Sequence, residues 1–155
     1  MTVSNICCIG AGHVGGPSMA YIASKCPKLI VTVVDQDIDK IKAWNSSNLP
    51  LYEPGLSKVV KSCINKNLFF TTDIENTIKK SQIIFLTVNT PTKTSGFGSG
   101  KAANLKHIEE CCKLISKFSK SKKIIVEKST VPVRTAEKVQ EILNESKNNF
   151  EFEVL

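Results

Sequence analysis

Residues 5 to 15 read Asn-Ile-Cys-Cys-Ile-Gly-Ala-Gly-His-Val-Gly, and this stretch decides the fold. Asn5 to Ile9 form a short apolar run closed by glycine, a pattern typical of a buried parallel strand. The Gly-x-Gly-x-x-Gly spacing of Gly10 to Gly15 then predicts a tight turn into a helix. In this motif the first glycine permits the turn, the second lets a ligand approach the backbone, and the third lets the helix pack closely on the strand. We therefore expect a phosphate group at the N-terminus of that helix, against unpaired amides.

An acidic residue, Asp35, strengthens this interpretation. Residues 29 to 35 read Leu-Ile-Val-Thr-Val-Val-Asp, which predicts a second central strand ending in a carboxylate. Asp35 lies 20 positions after Gly15, where a carboxylate can accept hydrogen bonds from the hydroxyls of an adenosine ribose. Its charge would repel a 2′-phosphate, so the sequence predicts binding of NAD rather than NADP. The alternative is that Asp35 only starts a turn.

Strand and helix patterns alternate along the whole chain. Further strand patterns lie at 68–72, 83–88, 124–127 and 150–155, with helical spacing of apolar residues between them. The alternation predicts an α/β fold with right-handed crossovers, namely a doubly wound, mostly parallel, six-stranded sheet of the Rossmann type. Residues 1–155 are expected to form a single domain, because a chain of this length suits one hydrophobic core.

Two polar segments follow predicted strands. They read Val88-Asn89-Thr90-Pro91-Thr92 and Ser129-Thr130-Val131-Pro132. Because both follow the carboxyl ends of strands, we expect them to border the crevice in which an open parallel sheet binds ligands. Their small uncharged groups can form hydrogen bonds with ribose and amide edges. For Thr130 a second interpretation is a helix cap that precedes Pro132.

Several other features predict neither catalysis nor a metal site. His13 lies inside the glycine turn, and with only two histidines in the chain we expect no catalytic triad. A second glycine cluster at 92–103 fails as a P-loop, since Ser95 and Ala102 replace residues that the motif requires, and we expect a surface loop there. The six cysteines lack metal-ligand spacing, so we expect reduced, buried thiols and no metal.

The charge and the hydropathy exclude two classes of partner. The formal net charge of +7 could attract nucleic acid, but nearly all the basic residues are lysines and Arg134 is the single arginine. Because arginine forks dominate base recognition, we expect no nucleic-acid partner. The apolar runs are too short to cross a bilayer and no leader pattern is present, so we expect a cytoplasmic protein without a membrane partner.

Four blocks together resemble the UDP-glucose 6-dehydrogenase family over the whole chain. They are Gly10 to Gly16, Leu49-Pro50-Leu51-Tyr52-Glu53-Pro54-Gly55-Leu56, Val88 to Thr92, and Glu127-Lys128-Ser129-Thr130-Val131-Pro132-Val133-Arg134-Thr135. The second and fourth blocks are much more specific than the glycine fingerprint. The resemblance implies oxidation of the C6 alcohol of UDP-glucose to a carboxylate, with two NAD+ reduced in successive hydride transfers and an enzyme-bound thioester between them.

The resemblance also implies which residues bind the cofactor. They are Gly10, Ala11, Gly12, His13, Val14, Gly15, Asp35, Lys40, Val88, Asn89, Thr90, Pro91, Thr92 and Thr130. Thr130 is in addition the implied catalytic residue, close to the reacting water. Lys40 departs from the arginine that is common in the family, and an ammonium cannot reproduce a planar guanidinium fork.

By the same resemblance, the nucleophilic cysteine, the catalytic lysine, the central helix and the UDP-sugar domain of the family lie beyond Leu155. We therefore expect the front part of a longer, homo-oligomeric enzyme, which binds NAD but does not turn over UDP-glucose by itself. Two other functions stay open. One is the NAD-binding domain of another nucleotide-sugar dehydrogenase, and the other is a non-catalytic NAD-sensing module.

Overall fold

The structure is a computed structural model that describes residues 2–95, 99, 103–145 and 150–155. Its strands are β1 (Asn5–Ile9), β2 (Ile30–Val34), β3 (Leu68–Thr71), β4 (Ile83–Leu86), β5 (Lys123–Glu127) and β6 (Phe152–Val154). They form one sheet in the order β3-β2-β1-β4-β5-β6, and every pairing between these strands is parallel. The predicted doubly wound α/β fold of the Rossmann type is confirmed, and the described sheet is parallel throughout rather than mostly parallel.

Six helices cover the two faces of the described sheet. They are α1 (Gly15–Lys25), α2 (Ile38–Trp44), α3 (Leu56–Cys63), α4 (Ile74–Lys80), α5 (Lys106–Phe118) and α6 (Thr135–Asn144). Asp37 caps α2 as its sequence position predicts, since its side chain accepts hydrogen bonds from the amides of Asp39 and Lys40, each at 3.0 Å. Helical spacing with Ile41 and Trp44 would place Ile38 on the buried face of α2, but 59% of Ile38 is exposed.

The core consists of two layers, one on each face of the sheet. One layer packs α1, α2 and α3 against the sheet, and the other packs α4, α5 and α6 against it. Within β1, Ile6 and Cys8 belong to the first layer while Cys7 and Ile9 belong to the second. Burial on both faces explains why Ile6 to Ile9 of β1 are all apolar instead of alternating with polar residues.

The cysteines follow the expected pattern with one exception. Five are buried, namely Cys7, Cys8, Cys63, Cys111 and Cys112, and all six thiols are free. Cys26 is exposed, because it immediately follows the last turn of α1. Among the described residues no group of histidine, cysteine and carboxylate side chains could hold a metal ion.

The described ends of the segment at 92–103, which follows β4 in the sequence, pair with each other. An antiparallel bridge joins Thr92 to Ala103, and the amide of Asn104 donates to the carbonyl of Pro91 at 2.7 Å. Most of the second glycine cluster lies outside the described residues. None of the helices in the described part of the chain combines the length and the apolar character needed to cross a membrane.

Candidate functional site

The strand order places a crevice between β1 and β4. The chain leaves β1 toward α1 on one face of the sheet and leaves β4 toward α5 on the other, so the two connections diverge at the carboxyl edge. A cleft of about 340 Å³ opens there. Its lining residues are Ile9, Gly10, Gly12, Val34, Asp35, Gln36, Lys40, Thr72, Ile74, Thr87, Val88, Asn89, His107, Glu110, Cys111 and Leu114.

The glycine turn forms one wall of this cleft. Gly10 has φ +112°, a conformation that side chains rarely adopt, and a Cβ atom there would lie 2.6 Å from the carbonyl oxygen of Thr87. A Cβ atom on Gly15 would lie 2.0 Å from the carbonyl oxygen of Gly10, so α1 could not start where it does. Gly12 differs, since a Cβ atom there would meet nothing within 4 Å. The turn is therefore closely packed at its base and open at Gly12.

Thr87 holds the base of the turn, a role that no sequence pattern indicates. Its hydroxyl lies 3.1 Å from the carbonyl oxygen of Ile9 and 2.9 Å from that of Gly10, and donates toward both. The thiol of Cys8 lies 3.2 Å from the same hydroxyl. The side chain of Thr87 therefore ties β4 to the β1–α1 turn.

The turn presents free donors to the cleft. In the described part of the chain, the amides of Gly12, His13 and Val14 form no hydrogen bond with the protein. The amide of Gly10, in contrast, donates to the carbonyl of Val34 at 2.8 Å. Unpaired amides beside the N-terminus of the 11-residue helix α1 suit an anion such as a diphosphate.

Asp35 closes the neighbouring corner of the cleft. Its Oδ2 atom accepts hydrogen bonds from the amide of Ala11 and from Nζ of Lys40, each at 2.9 Å, while Oδ1 accepts from the amide of Asp37 at 3.0 Å. Burial alone would raise the pKa of Asp35, but the hydrogen bonds from Lys40, Asp37 and Ala11 outweigh it and lower the pKa. Asp35 is therefore ionised at neutral pH.

The carboxylate of Asp35 has limited capacity left for a ligand. An ionised carboxylate offers about four acceptor positions, and protein donors fill three of them. About one position therefore remains for a ribose hydroxyl, whereas the sequence predicts hydrogen bonds from more than one hydroxyl. The bond to Asp37 also shows that Asp35 does start a turn, so the two interpretations of this residue are compatible.

Lys40 lies next to Asp35 on α2. Its ammonium is 2.9 Å from Oδ2 of Asp35 and 4.0 Å from a carboxylate oxygen of Asp37. Because the side chain of Lys40 is about one-third exposed, at 34%, its remaining donors can reach a ligand in the cleft. Lys40 thus supplies a point charge at this corner rather than a planar fork.

Helix α5 forms the opposite wall, which the sequence patterns did not single out. His107, Glu110, Cys111 and Leu114 line the cleft from this helix. Ile108, Cys112 and Ile115 of α5 belong to the core, but the adjacent face of the same helix points into the cleft. With Ile74 and Val88 nearby, this wall is apolar enough to accommodate a flat base.

The remaining predicted site residues are not among those that line the cleft, and they follow strands at the carboxyl edge of the sheet. His13, Val14, Pro91, Thr92 and Thr130 are exposed, while Ala11 and Gly15 are buried beneath the turn. The hydroxyl of Thr90 donates to the carbonyl of Thr130 at 2.6 Å, so the segments after β4 and β5 meet at this edge. Interpreting Thr130 as a helix cap is wrong, because α6 begins at Thr135 with Arg134 as its N-cap.

Comparison with known proteins gives this cleft a family context. Residues 4–155 match the family described as UDP-glucose/GDP-mannose dehydrogenase family, NAD binding domain. Over 150 residues the chain is 57% identical to UDP-glucose 6-dehydrogenase 1 of Arabidopsis thaliana, covering 97% of this chain and 31% of the relative. It is 56% identical over 138 residues to UDP-glucose 6-dehydrogenase of Drosophila melanogaster, covering 89% of this chain and 29% of the relative. The chain therefore spans about a third of these relatives' length.

Solved structures share the fold. A UDP-glucose dehydrogenase from Pyrobaculum islandicum superimposes with a TM-score of 0.83 at 22% identity, covering 99% of this chain and 35% of that one. A GDP-mannose dehydrogenase from Pseudomonas aeruginosa gives 0.82 at 25% identity, covering 96% of this chain and 34% of that one. Since the family match extends over nearly the whole sequence, the chain belongs to the UDP-glucose/GDP-mannose dehydrogenase family and constitutes its NAD-binding domain.

Proposed function

We propose that NAD binds across the carboxyl edge of the sheet in an extended pose. The free amides of Gly12, His13 and Val14 support placement of the diphosphate over the glycine turn. The ion pair of Asp35 and Lys40 binds the adenosine ribose from one side, and the adenine base lies against the apolar part of the α5 wall. The nicotinamide half extends toward the polar segment from Val88 to Thr92.

We further propose that this domain serves an enzyme that oxidises UDP-glucose to UDP-glucuronate. The carrying observation is the 57% identity, over nearly the whole chain, to a protein named UDP-glucose 6-dehydrogenase. When bound, NAD+ supplies the hydride acceptor for each of the two oxidation steps.

Thr130 is the proposed catalytic contact of this chain. The bond from Thr90 fixes the backbone carbonyl of Thr130 at the edge where the segments after β4 and β5 meet. Thr130 itself is exposed, and its hydroxyl is proposed to hold a reacting water in place. This role belongs to the longer enzyme, in which the sugar nucleotide reaches the same edge.

The 155-residue chain alone is proposed to bind NAD without oxidising UDP-glucose. A thioester requires an accessible thiolate, and burial raises the pKa of Cys111, the one cysteine on the cleft wall of the described structure, to about 12. The exposed Cys26 follows the C-terminus of α1, at the opposite edge of the sheet from the cleft. We propose that the longer enzyme is a cytoplasmic homo-oligomer, and the reduced, buried thiols are consistent with that compartment.

Calorimetric titration combined with an NADH absorbance assay tests this proposal. The purified chain should bind NAD more tightly than NADP and should produce no NADH with UDP-glucose. Fusion to the remaining two-thirds of a relative should restore NADH production with UDP-glucose but not with GDP-mannose. Absence of NAD binding would contradict the proposal, and NADH production by the chain alone would contradict its inactivity.

A further inference from the structure

Trp44 contacts the glycine turn from below. It is the single tryptophan of the chain, and its side chain is fully buried at the end of α2. Its indole Nε1–H donates to the carbonyl of Ala11 at 2.9 Å. The same ring lies directly beneath Gly16, where an added Cβ atom would come within 2.0 Å of it. Trp44 therefore contacts both the β1–α1 turn at Ala11 and the first turn of α1 at Gly16.

The hydrogen bond to Ala11 has a consequence for the next amide. The carbonyl of Ala11 and the N–H of Gly12 belong to one planar trans peptide, in which the two groups point in opposite directions. Because the carbonyl points down to the buried indole, the N–H of Gly12 points away from the core. The amide of Gly12 has no partner in the described structure, and a Cβ atom added at this residue would meet nothing within 4 Å.

The preceding peptide is fixed in a similar way. The amide of Ala11 donates to Oδ2 of Asp35, so both peptide units that flank Ala11 are held by side chains from other elements. A glycine-rich turn has few side chains of its own to stabilise one conformation, and each glycine adds backbone freedom. External hydrogen bonds of this kind preorganise such a turn before a ligand arrives.

We propose, on the basis that NAD binds in this cleft, that Trp44 is a positioning residue for the diphosphate. Its indole N–H holds the Ala11–Gly12 peptide in the orientation that presents the Gly12 amide to the ligand. Phe70 stacks on the same ring, with centroids 4.7 Å apart and planes 6° apart. Phe70 contributes to the packing of the ring but makes no contact with the turn through a polar group.

Two substitutions separate positioning from packing. Trp44→Phe keeps an aromatic ring and removes the N–H donor, whereas Phe70→Leu keeps the donor and removes the stacking partner. Loss of one hydrogen bond predicts that Trp44→Phe weakens NAD binding by about five- to tenfold. Phe70→Leu should lower the unfolding temperature but leave NAD affinity within about twofold of the wild type.

Truncated ligands supply a readout that a purely structural role would not change. ADP-ribose carries the diphosphate, whereas adenosine reaches only the ribose and base corner. Trp44→Phe should weaken NAD and ADP-ribose by the same factor and leave adenosine binding, followed by NMR titration, within about twofold. Unchanged NAD affinity in this variant, or equal losses for all three ligands, would overturn the proposal.

The wild-type chain provides a second test that needs no substitution, in case Trp44→Phe fails to fold. One tryptophan gives one indole N–H resonance, which should shift on addition of NAD or ADP-ribose but not of adenosine. A resonance that stays fixed with all three ligands, while NAD binds, would overturn the role of Trp44 alone. A chain that does not bind NAD at all would instead remove the proposed function.

Discussion

At the scale of single residues, Asp35 links the fold to the ligand site. It follows β2, accepts hydrogen bonds from the glycine turn and from α2, and faces the cleft with 11% of its side chain exposed. This carboxylate helps to shape the turn, and in the proposed function it also binds the ribose. Its substitution therefore probes ligand binding only when compared with a neighbouring carboxylate outside the cleft.

Asp35→Ala should weaken NAD binding by about 1 to 3 kcal/mol, because a charge-assisted hydrogen bond to the ribose is lost. Asp39→Ala is the matched control, since Asp39 lies on α2 with 91% of its side chain exposed and, among the described residues, pairs only with Lys42. Titration calorimetry of both variants measures the difference. Equal NAD affinity of Asp35→Ala and the wild type would remove Asp35 from the ribose site.

Residues that act through distant neighbours could not be predicted from the sequence. The role of Asp35 could be predicted from the sequence, because its distance from the glycine turn is set by one strand-helix-strand unit. Trp44 looked like an ordinary core residue at helical spacing, and its partner Ala11 lies 33 positions earlier. Thr87 likewise acts on Gly10 only because β4 pairs with β1, a neighbour relation that local sequence does not encode.

At the scale of elements, different glycines of the strand–turn–helix unit β1–α1 are expected to determine the stability of the fold and the binding of NAD. Gly15→Ala should destabilise the fold by about 1 to 3 kcal/mol or more, because its methyl group would meet backbone and must displace α1. Gly12→Ala should keep the stability within about 0.5 kcal/mol, since open space surrounds that position. It should nevertheless abolish measurable NAD binding, because the methyl group would occupy the approach of the diphosphate.

Chemical denaturation and NAD titration of both glycine variants measure this contrast. Each variant serves as the control for the other, as both add one methyl group to the same turn. If Gly12→Ala bound NAD normally, the diphosphate would not lie over this turn. If Gly15→Ala had wild-type stability, the close packing of α1 on β1 would be wrong.

Most elements were predictable, whereas their ends were not. The apolar run at 124–127 indicated β5, but the strand begins at Lys123, whose ammonium is buried and donates to the carbonyl of Ser81 at 2.6 Å. Likewise α6 begins only after Arg134, which has φ +71°. Arginine rarely adopts this conformation, so the sequence does not predict it. Such boundaries depend on tertiary hydrogen bonds and on local strain rather than on periodicity.

At the scale of the whole molecule, the two-layer core places thiols on both faces of the sheet. Burial raises the pKa of Cys8, Cys111 and Cys112 to about 12 and raises that of Cys7 well above its ordinary value. An unfolded chain would ionise these thiols near pH 8.5, whereas the folded chain keeps them protonated. The folded state thus binds more protons above that pH, and its stability must fall as the pH rises.

We expect this loss to be large for a domain of ordinary stability. Each of the four thiols should contribute about 1.4 kcal/mol at a pH one unit above its unfolded pKa, or on the order of 5 kcal/mol together. Urea denaturation under reducing conditions at about pH 7.5 and about pH 9.5 measures the difference. Cys112→Ala should reduce the pH-dependent loss by about a quarter, and Cys26→Ala, at an exposed position, should leave it unchanged. An unfolding free energy that stays constant over this range would mean that the buried thiols ionise within the folded domain, in conflict with their enclosure by the two layers.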